Sequence, residues 1–319
     1  MTPYNLQAAK KPTFYFIGVT TGKSSIMKVF PLWAAHLGLG DVSITGIDCQ
    51  WHDNPEVYRK AVSFIKNDPL SLGALVTTHK IDLLSACRDL FDGLCPYASL
   101  LGEVSCISKR DGRLIGHAKD PVTSGLALKT FVSDDYWRKS GAEVCLLGAG
   151  GSSLALTTWF MKERGKEFSP ARIHVTNRSK PRLEEMERIH RQINPGIETV
   201  YSHCPEQPEN DAVVNILKHG SLVINATGLG KDAPGSPITY NAQFPQNGLA
   251  WDFNYRGNLI FLRQARAQQK EKKLTIEDGW NYFIFGWTRV MAEVFNISIP
   301  AEGIEFEKLS EIASRARNS

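Results

Sequence analysis

The sequence predicts an α/β protein with two domains, and two observations support this prediction. Short, continuous apolar segments alternate with segments whose apolar residues recur at helical spacing, which is typical of a parallel sheet covered by helices on both faces. The chain has 319 residues, a length that corresponds to about two domains. We expect one α/β domain over residues 1–127, a second over 128–276, and C-terminal helices over 277–319 that return to the first domain.

The first part of the chain contains three predicted strands, each followed by a predicted helix. Runs of apolar, aromatic and β-branched residues predict the strands, and apolar residues near helical spacing predict the helices. The strands are expected at 13–19, 42–48 and 74–78, and the helices at 24–39, 56–67 and 82–92. The Asp111-Gly112 pair then predicts a hairpin that joins 103–109 to 113–116.

The second part of the chain contains further short apolar strands separated by helical or polar segments. The strands are expected at 143–147, 172–176, 197–201, 222–226 and 249–253. A helix is expected to run through Met161, and a long helix rich in Trp, Phe and Met is expected at 278–295. The polar stretch 194–210 predicts surface loops around one short strand.

Composition and charge exclude several classes of protein. The chain carries 37 Lys and Arg against 33 Asp and Glu, for a net charge of +4 with no long basic run, which disfavours nucleic acid as the main partner. No apolar stretch approaches the ~18 residues of a membrane span, and the N-terminus lacks the apolar core of a secretory signal. The six cysteines are scattered without metal-ligand spacing. We therefore expect a reducing, cytoplasmic setting and no metal.

A glycine-rich loop follows the strand at 143–147. Its residues are Gly148, Gly150, Gly151 and Ser152, and a helix comes directly after them. Such glycines let the backbone approach a pyrophosphate, which then binds to the N–H groups and the positive dipole of the helix. Glycines at a strand–helix turn can also be plain turn chemistry. The surrounding strand, helix and further α/β units favour nucleotide binding.

The segment after the next strand indicates which nucleotide would bind. An NAD site places Asp or Glu at this point to bind the ribose 2′-hydroxyl, whereas this chain continues as Asn177-Arg178-Ser179 with no carboxylate. Arg178 and Arg182 can face a 2′-phosphate, which guanidinium groups bind well. The alternative is that both arginines are merely solvated. The pattern favours NADP.

Lys80 and Asp120 are the candidate catalytic residues. Lys80 follows an apolar strand, and Asp120 follows the predicted hairpin. A lysine near a carboxylate in a cleft can exchange a proton with a substrate hydroxyl while hydride leaves the carbon. Considered alone, each is more often an ordinary surface charge.

Taken together and in this order, the segments resemble the shikimate/quinate dehydrogenase family over nearly the whole chain. The matching segments are Gly18-Val19 with Lys23-Ser24, Val76-Thr77-Thr78-His79-Lys80, Gly102-Glu103-Val104, Asp111 to Gly116 ahead of Asp120, the glycine loop, Asn177-Arg178-Ser179 with Arg182, Val223 to Thr227, Asp252 to Tyr255, and Asp278-Gly279.

The resemblance implies a substrate-binding domain made of both chain ends, with an NADP-binding Rossmann domain between them. It implies that Lys80 transfers the proton and that Asp120 is its partner at the substrate. The implied substrate contacts are Ser24, Thr77, Ser105 and Tyr255. The implied cofactor contacts are the glycine loop, the NADP-selecting stretch Asn177, Arg178, Ser179 and Arg182, and Thr227 beside the nicotinamide.

This chain departs from the family pattern at the implied substrate contacts. A family serine is replaced at Gly22, the family's Asn-Thr pair is Ser105-Cys106, and the substrate-binding Gln falls near Gly286, between Phe285 and Trp287. Loss of such polar groups changes which substrate fits. The two aromatic residues either favour a larger or less hydroxylated substrate or belong to the core.

The sequence therefore predicts an NADP-dependent alcohol/ketone oxidoreductase that acts on a shikimate- or quinate-like cyclic hydroxy acid, as a monomer or homodimer. Two alternatives remain open. One is a metabolite-sensing protein without turnover, and the other is a reductase of a different ring substrate.

Overall fold

The computed structural model describes residues 6–163, 169–194, 196–231 and 233–318. The chain divides into two compact units: unit 1 is Met1–Lys119 with Gly286–Ser319, and unit 2 is Asp120–Phe285. The sequence analysis placed these boundaries after residues 127 and 276. The predicted α/β class is confirmed, because each unit has a six-stranded sheet with helices around it.

The first section of unit 1 alternates strands and helices. In chain order its elements are β1 (Thr13–Gly18), α1 (Ile26–His36), β2 (Ser43–Asp48), α2 (Pro55–Asn67), β3 (Ser71–Val76), α3 (Lys80–Cys87), β4 (Gly93–Leu94), α4 (Pro96–Leu101), β5 (Cys106–Arg110) and β6 (Arg113–His117).

Unit 2 follows the same alternation, and the chain then returns to unit 1. The elements are α5 (Asp120–Lys129), α6 (Tyr136–Ser140), β7 (Val144–Leu147), α7 (Gly151–Glu163), β8 (Ile173–Asn177), α8 (Lys180–Ile193), β9 (Thr199–His203), α9 (Gln207–Asn215), β10 (Leu222–Asn225), β11 (Leu249–Asp252), α10 (Ile260–Lys272), β12 (Thr275–Glu277), α11 (Trp280–Phe295) and α12 (Ile304–Asn318).

The sheet of unit 1 has the order β2-β1-β3-β5-β6-β4. Strand β1 pairs in parallel with β2 and β3, whereas β5 is antiparallel to both β3 and β6. The carboxyl ends of β1, β2 and β3 therefore lie at the same edge as the start of β5 and the end of β6. The implied residues Ser24, Thr77, Lys80 and Ser105 all follow or precede strands at this edge.

The C-terminal residues complete the core of unit 1. Trp287 is 4% exposed and packs edge-on against Phe14 and Phe16 of β1, at ring-centroid distances of 5.9 and 4.9 Å. Helix α12 packs on α1, where the Trp33 indole donates to the carbonyl of Leu309 at 2.8 Å. Trp287 therefore belongs to the core, which is one of the two alternatives stated above for Phe285 and Trp287.

The sheet of unit 2 is entirely parallel, with the order β12-β11-β10-β7-β8-β9. Numbered within the unit, this is the 3-2-1-4-5-6 order of doubly wound dinucleotide-binding domains. The direction of winding reverses between β7 and β10. In open sheets of this kind, ligands bind outside the carboxyl ends of the strands at that reversal.

Some predicted element boundaries are wrong. Helix α3 begins at Lys80 rather than at residue 82, and α1 begins at Ile26 rather than at 24. The stretch 194–210 is less loop-rich than predicted, because α9 begins within it. There the side chain of Glu206 accepts from the backbone at the third helical position, and Glu209 accepts from the Glu206 amide. This capping box starts the helix despite its polar sequence. Within the described residues, no helix combines the length and the apolar character that crossing a membrane requires.

Helices α5 and α7 of unit 2 pack very closely through a glycine. A Cβ atom added at Gly125 would overlap the indole of Trp159 on α7. Any larger residue at this position must displace that ring, because protein interiors are close-packed.

We predict that Gly125→Ala lowers the free energy of unfolding by ~1–3 kcal/mol through overpacking. The matched control is Gly286→Ala in α11, where an added Cβ meets no atom within 4 Å and the helix gains the preference of Ala over Gly. Urea unfolding of both variants measures the difference. Equal midpoints for the two variants would contradict the close packing of α5 on α7.

Candidate active site

The glycine loop of unit 2 lies at the reversal between β7 and β10. Gly148 has φ +110, and an added Cβ would lie 3.0 Å from Thr227 Cγ2 and 3.3 Å from the carbonyl oxygen of Ala226. Only glycine accepts both this φ and this close approach. At Gly150, by contrast, an added Cβ would meet no atom within 4 Å, so this side of the loop is open.

The predicted glycine-loop residues Gly151 and Ser152 form the start of helix α7. The neighbouring Ser153 hydroxyl is buried and donates to the carbonyl of Gly148, which fastens the loop to the first turn. The free N–H groups and the positive dipole of a helix N-terminus are suited to a phosphate group. The loop thus has the two properties that the sequence analysis required, a close turn and an open helix N-terminus.

The predicted NADP-selecting stretch begins at the end of β8 and contacts the glycine loop. Asn177 Oδ1 accepts from the amide of Ala149 at 3.4 Å, and its Nδ2 donates to the carbonyl of Ser179 at 3.1 Å. Arg182 Nη2 donates to the carbonyl of Ala149 at 3.4 Å. Arg178 is exposed. Asn177 and Arg182 are therefore brought to the loop, and Arg178 remains available to solvent or ligand.

Thr227 is held by two asparagines. Asn225 Oδ1 accepts from the Thr227 amide at 3.0 Å and from its hydroxyl at 2.6 Å. Asn254 Nδ2 donates to the carbonyls of Thr227 and Leu229, at 3.0 and 3.2 Å. The loop after β10 is therefore fixed by side chains at the ends of β10 and β11.

Asp252 binds both asparagines. It is fully buried, and its Oδ1 accepts from the side-chain Nδ2 of Asn225 at 3.1 Å and from the backbone amide of Asn254 at 2.9 Å. Its Oδ2 is buried without a hydrogen-bond partner among the described residues. Burial raises the pKa of Asp252 to about 7 from its ordinary 3.8, although the hydrogen bonds from Asn254 and Asn225 oppose the rise.

Asp120 and Tyr255 also belong to unit 2. Asp120 is the first residue of α5, and its Oδ2 accepts from the hydroxyl of Tyr282 at 3.3 Å. The Tyr255 ring packs against Trp280 and Phe283, at centroid distances of 5.3 and 4.7 Å. The sequence analysis missed Tyr282, although it lies within the helix rich in aromatic residues that was predicted at 278–295.

In unit 1, the turn before Ser24 is fixed by a carboxylate at the end of β2. Asp48 Oδ1 accepts from the Thr21 amide at 2.7 Å and from the Thr21 hydroxyl. The Thr21 side chain lies over Gly46, where an added Cβ would overlap it. Ser24 ends this turn and is 9% exposed. The position of Ser24 therefore depends on Asp48, a residue that sequence reasoning missed.

Lys80 is the first residue of α3, directly after a strained turn. Thr77 is half-buried, and its amide donates to the carbonyl of Ile17 on β1 at 3.0 Å. Thr78 has φ +63, a conformation that is a genuine outlier for a β-branched residue. His79 is 1% exposed, and the carbonyl of Lys80 accepts from the Val104 amide at 3.1 Å. Lys80 is thus held on both sides.

Ser105 lies inside the sheet edge of unit 1. It is 2% exposed, and its hydroxyl oxygen accepts from the amide of Lys119 at 2.8 Å. This bond holds the segment that leads to Asp120. The predicted contact between Ser105 and substrate stays a prediction.

The chain is similar in sequence to shikimate dehydrogenases. A shikimate dehydrogenase (NADP(+)) of Streptococcus thermophilus is 31% identical over 181 residues, which is 56% of this chain and 59% of the relative. One of Bacillus mycoides is 28% identical over 233 residues, covering 72% of this chain and 75% of the relative. The chain thus spans less than two thirds of the first relative's length. No family model matches the chain.

Solved structures share the fold over nearly the whole chain. A shikimate dehydrogenase of Peptoclostridium difficile superposes with a TM-score of 0.70 at 18% identity and covers 96% of this chain and 98% of its own. A 5-ketofructose reductase of Gluconobacter superposes with a TM-score of 0.67 at 18% identity, covering 96% and 99%. The resemblance to shikimate dehydrogenases and the α/β fold are therefore confirmed.

The buried Asp252 gives a pH-dependence of stability with a definite sign. Its folded-state pKa of about 7 lies above the ordinary 3.8, so the folded state binds the proton more tightly than the unfolded state. The free energy of unfolding therefore falls as pH rises from about 4 to about 7, by an amount on the order of 4 kcal/mol.

We predict that Asp252→Asn removes this fall, because the amide stays neutral while its oxygen still accepts from Asn225 and Asn254. Urea midpoints measured between pH 4.5 and pH 8 test the prediction. The matched control is Asp134→Asn on the surface of unit 2, which is expected to keep the wild-type slope. An Asp252→Asn variant that also keeps that slope would refute the assignment.

Proposed function

We propose that the protein is an NADP-dependent oxidoreductase that interconverts an alcohol and a ketone on a shikimate- or quinate-like cyclic hydroxy acid. The observation that carries this proposal is the glycine loop at the strand reversal of unit 2. In this loop Gly148 lies close to Thr227, and the carbonyl of Ala149 accepts from Arg182. The sequence relatives named shikimate dehydrogenase (NADP(+)) support the choice of reaction.

In this proposal unit 2 binds the nucleotide and contributes Asp120 and Tyr255 to the substrate, and unit 1 contributes Lys80, Ser24, Thr77 and Ser105. The open face at Gly150 and the N-terminus of α7 receive the pyrophosphate. Arg178 and Arg182 bind the 2′-phosphate, with Asn177 and Ser179 shaping that corner. When bound, the nicotinamide cofactor would supply the hydride acceptor for oxidation of the substrate alcohol. Thr227 lies on the loop that the resemblance places beside the nicotinamide, held by Asn225 and Asn254.

Lys80 takes the proton from the substrate hydroxyl in the oxidation direction and returns it in reduction. Asp120 orients the hydroxyl and the ammonium group. Lys80 is the first residue of α3, where the positive end of the helix dipole disfavours its ammonium group. The carboxylate of Asp82, in the same first turn, is favoured by that dipole. Ser24 and Thr77 contact the substrate, with Ser105 and Tyr255 as further contacts. Positioned acid–base groups of this kind contribute ~10²–10⁴ in rate.

A reductase of a different ring substrate is the second candidate. Added Cβ atoms at Gly22 and Gly286 would meet nothing within 4 Å, so both departures from the family pattern leave open space. Trp287 does not fill such space, because it packs on Phe14 and Phe16. A larger or less hydroxylated ring is compatible with these positions. The retained Lys80 and Asp120 argue against a sensor without turnover.

The setting of the protein is part of the same proposal. All six cysteines are free thiols, which supports a reducing compartment such as the cytoplasm. A monomer or homodimer, with no nucleic-acid partner, stays our prediction for its assembly.

We predict that Lys80→Ala lowers kcat by about 10²-fold or more, because the proton transfer loses its acid and base. The assay follows NADP⁺ reduction with quinate, shikimate and simpler hydroxycyclohexane carboxylates. Lys60→Ala, an exposed lysine on α2, serves as the control. Full turnover in the Lys80 variant would refute its role. No turnover of any ring by the wild type, despite tight NADP binding, would favour a different substrate or a sensor.

We predict that Arg178→Gln weakens NADP⁺ binding about tenfold or more while leaving NAD⁺ binding unchanged, because it removes a charge-assisted bond to the 2′-phosphate. Arg182→Gln also loses the bond to the Ala149 carbonyl of the glycine loop, so we expect it to weaken NADP⁺ binding by more than it weakens NAD⁺ binding. Calorimetric titration measures both constants without turnover. Arg191→Gln on the same helix, where Arg191 pairs with Glu187 at 2.6 Å, is the control. Equal losses for both nucleotides would place these arginines elsewhere than at the 2′-phosphate.

A further inference from the structure

The strained turn before Lys80 is anchored by a buried hydrogen bond that neither the motif nor the proposed reaction accounts for. His79 lies at the N-cap position of α3 but does not cap the helix with its side chain. Its imidazole is instead directed inward, where Nδ1 lies 3.1 Å from the hydroxyl of Tyr58 on α2. Both side chains are 1% exposed.

The hydrogen bonds around Tyr58 fix the direction of this contact. The Tyr58 oxygen accepts from the Asp53 amide at 3.1 Å, so its own proton is free to be donated to His79 Nδ1. Burial raises the pKa of Tyr58 to about 12, which keeps that proton in place. Burial also lowers the pKa of His79, although the backbone carbonyl of Gly18 opposes this. The imidazole is therefore neutral and accepts at Nδ1, a tautomer assigned from the network.

The contact ties the Lys80 segment to another element of unit 1. Tyr58 belongs to α2, and Asp53 belongs to the loop after β2. The same loop is joined to the first turn of α3 by His52 Nδ1 and Asp82 Oδ2, 2.9 Å apart. The residues on either side of Lys80 are thus fastened to one neighbouring loop–helix segment.

The strain at Thr78 makes such an anchor necessary. A non-glycine residue in the left-handed region costs ~1–3 kcal/mol and persists only where the surroundings enforce it. The Thr77 amide holds the strand side through Ile17. On the helix side, the buried imidazole of His79 is bonded to Tyr58, and the carbonyl of Lys80 accepts from the Val104 amide. The bond between His79 and Tyr58 is the side-chain anchor next to the strained residue, so its loss lets the turn relax.

We infer that Tyr58 and His79 are positioning residues that set the direction of Lys80 through the strained Thr78 turn. This inference rests on the proposed function only in its claim about rate. The claim about position stands on the contacts of unit 1 and is measurable without turnover.

Tyr58→Phe is the decisive variant, because it keeps the ring and removes only the hydroxyl. Tyr15→Phe is the matched control, since Tyr15 is a buried tyrosine of the same unit, 3% exposed, whose ring packs against Phe64. Hydrogen exchange followed by mass spectrometry reports on the Leu83 and Leu84 amides in the first turns of α3. We expect faster exchange of these amides in Tyr58→Phe and no change in Tyr15→Phe.

The kinetic readout separates positioning from general destabilisation. We expect kcat of Tyr58→Phe to fall about tenfold, with KM for NADP⁺ within twofold of wild type, because small misplacements of a reacting group are costly. His79→Asn offers an amide oxygen near the place of Nδ1 and is expected to keep more of kcat than His79→Leu. A similar loss in both His79 variants would refute the role of the acceptor.

The outcomes distinguish this inference from the proposed function. Unchanged exchange in Tyr58→Phe overturns the inference whether or not the wild type turns over a ring substrate. Faster exchange with unchanged kcat, in a protein that oxidises the substrate, overturns the link to Lys80. Absence of wild-type turnover refutes the proposed reaction alone, and the exchange result then decides whether the contact positions the turn.

Discussion

The parallel pairing of β7 with β10 is the constraint on which the glycine loop of unit 2 depends. Leu147 pairs with Asn225, so the two strands end together and their loops begin side by side. The loop after β7 then has no room for a side chain at Gly148, because Thr227 occupies that space. Gly148 is thus required because of the neighbouring loop, whereas the backbone at Gly150 borders open space that a ligand can enter.

Hydrogen bonds from polar side chains hold loops at the strand ends of both units. In unit 2, Asn225 and Asn254 bind the backbone around Thr227, and Asp252 orients them. In unit 1, Asp48 binds the Thr21 turn. Hydrogen bonds are directional, whereas apolar contacts are not, so a loop fixed in this way keeps one conformation. These side chains give the backbone N–H and C=O groups of the loops the hydrogen-bond partners that a helix or sheet would supply elsewhere.

Local patterns predicted the parts of the structure that local sequence determines. The apolar runs predicted the central strands, and their alternation with helical segments predicted a parallel sheet covered by helices on both faces. Asn225 and Asp252 are 27 residues apart, and Tyr58 and His79 are 21 apart. Their contacts depend on strand register and helix packing, for which one sequence gives no signal. The start of α3 at Lys80 was missed for a related reason, because its N-cap is a histidine whose side chain binds elsewhere.

The resemblance predicts candidate site residues but not what each one contacts. Ser105 was expected at the substrate, and its hydroxyl is used to hold Lys119. Trp287 was left between substrate and core, and it packs on β1. Ser105 replaces a polar residue of the family pattern and Trp287 adjoins one, and both make contacts within unit 1. A substrate contact of Ser105 stays part of our proposal, as does the acid–base role of Lys80 and Asp120.

Asp252 shows why such a network persists although it destabilises the fold. A fully buried carboxyl with one oxygen that no described residue bonds opposes folding once it ionises, and an apolar residue of similar size would avoid that penalty. An apolar residue cannot, however, accept hydrogen bonds from the Asn225 side chain and the Asn254 backbone amide together. Without that acceptor, the Asn225 side chain and the backbone that carries Asn254 each lose a partner, and these are the two residues that bind the Thr227 loop. The destabilisation is therefore the consequence of holding one loop in a single position beside the glycine turn, which we propose as the nucleotide site.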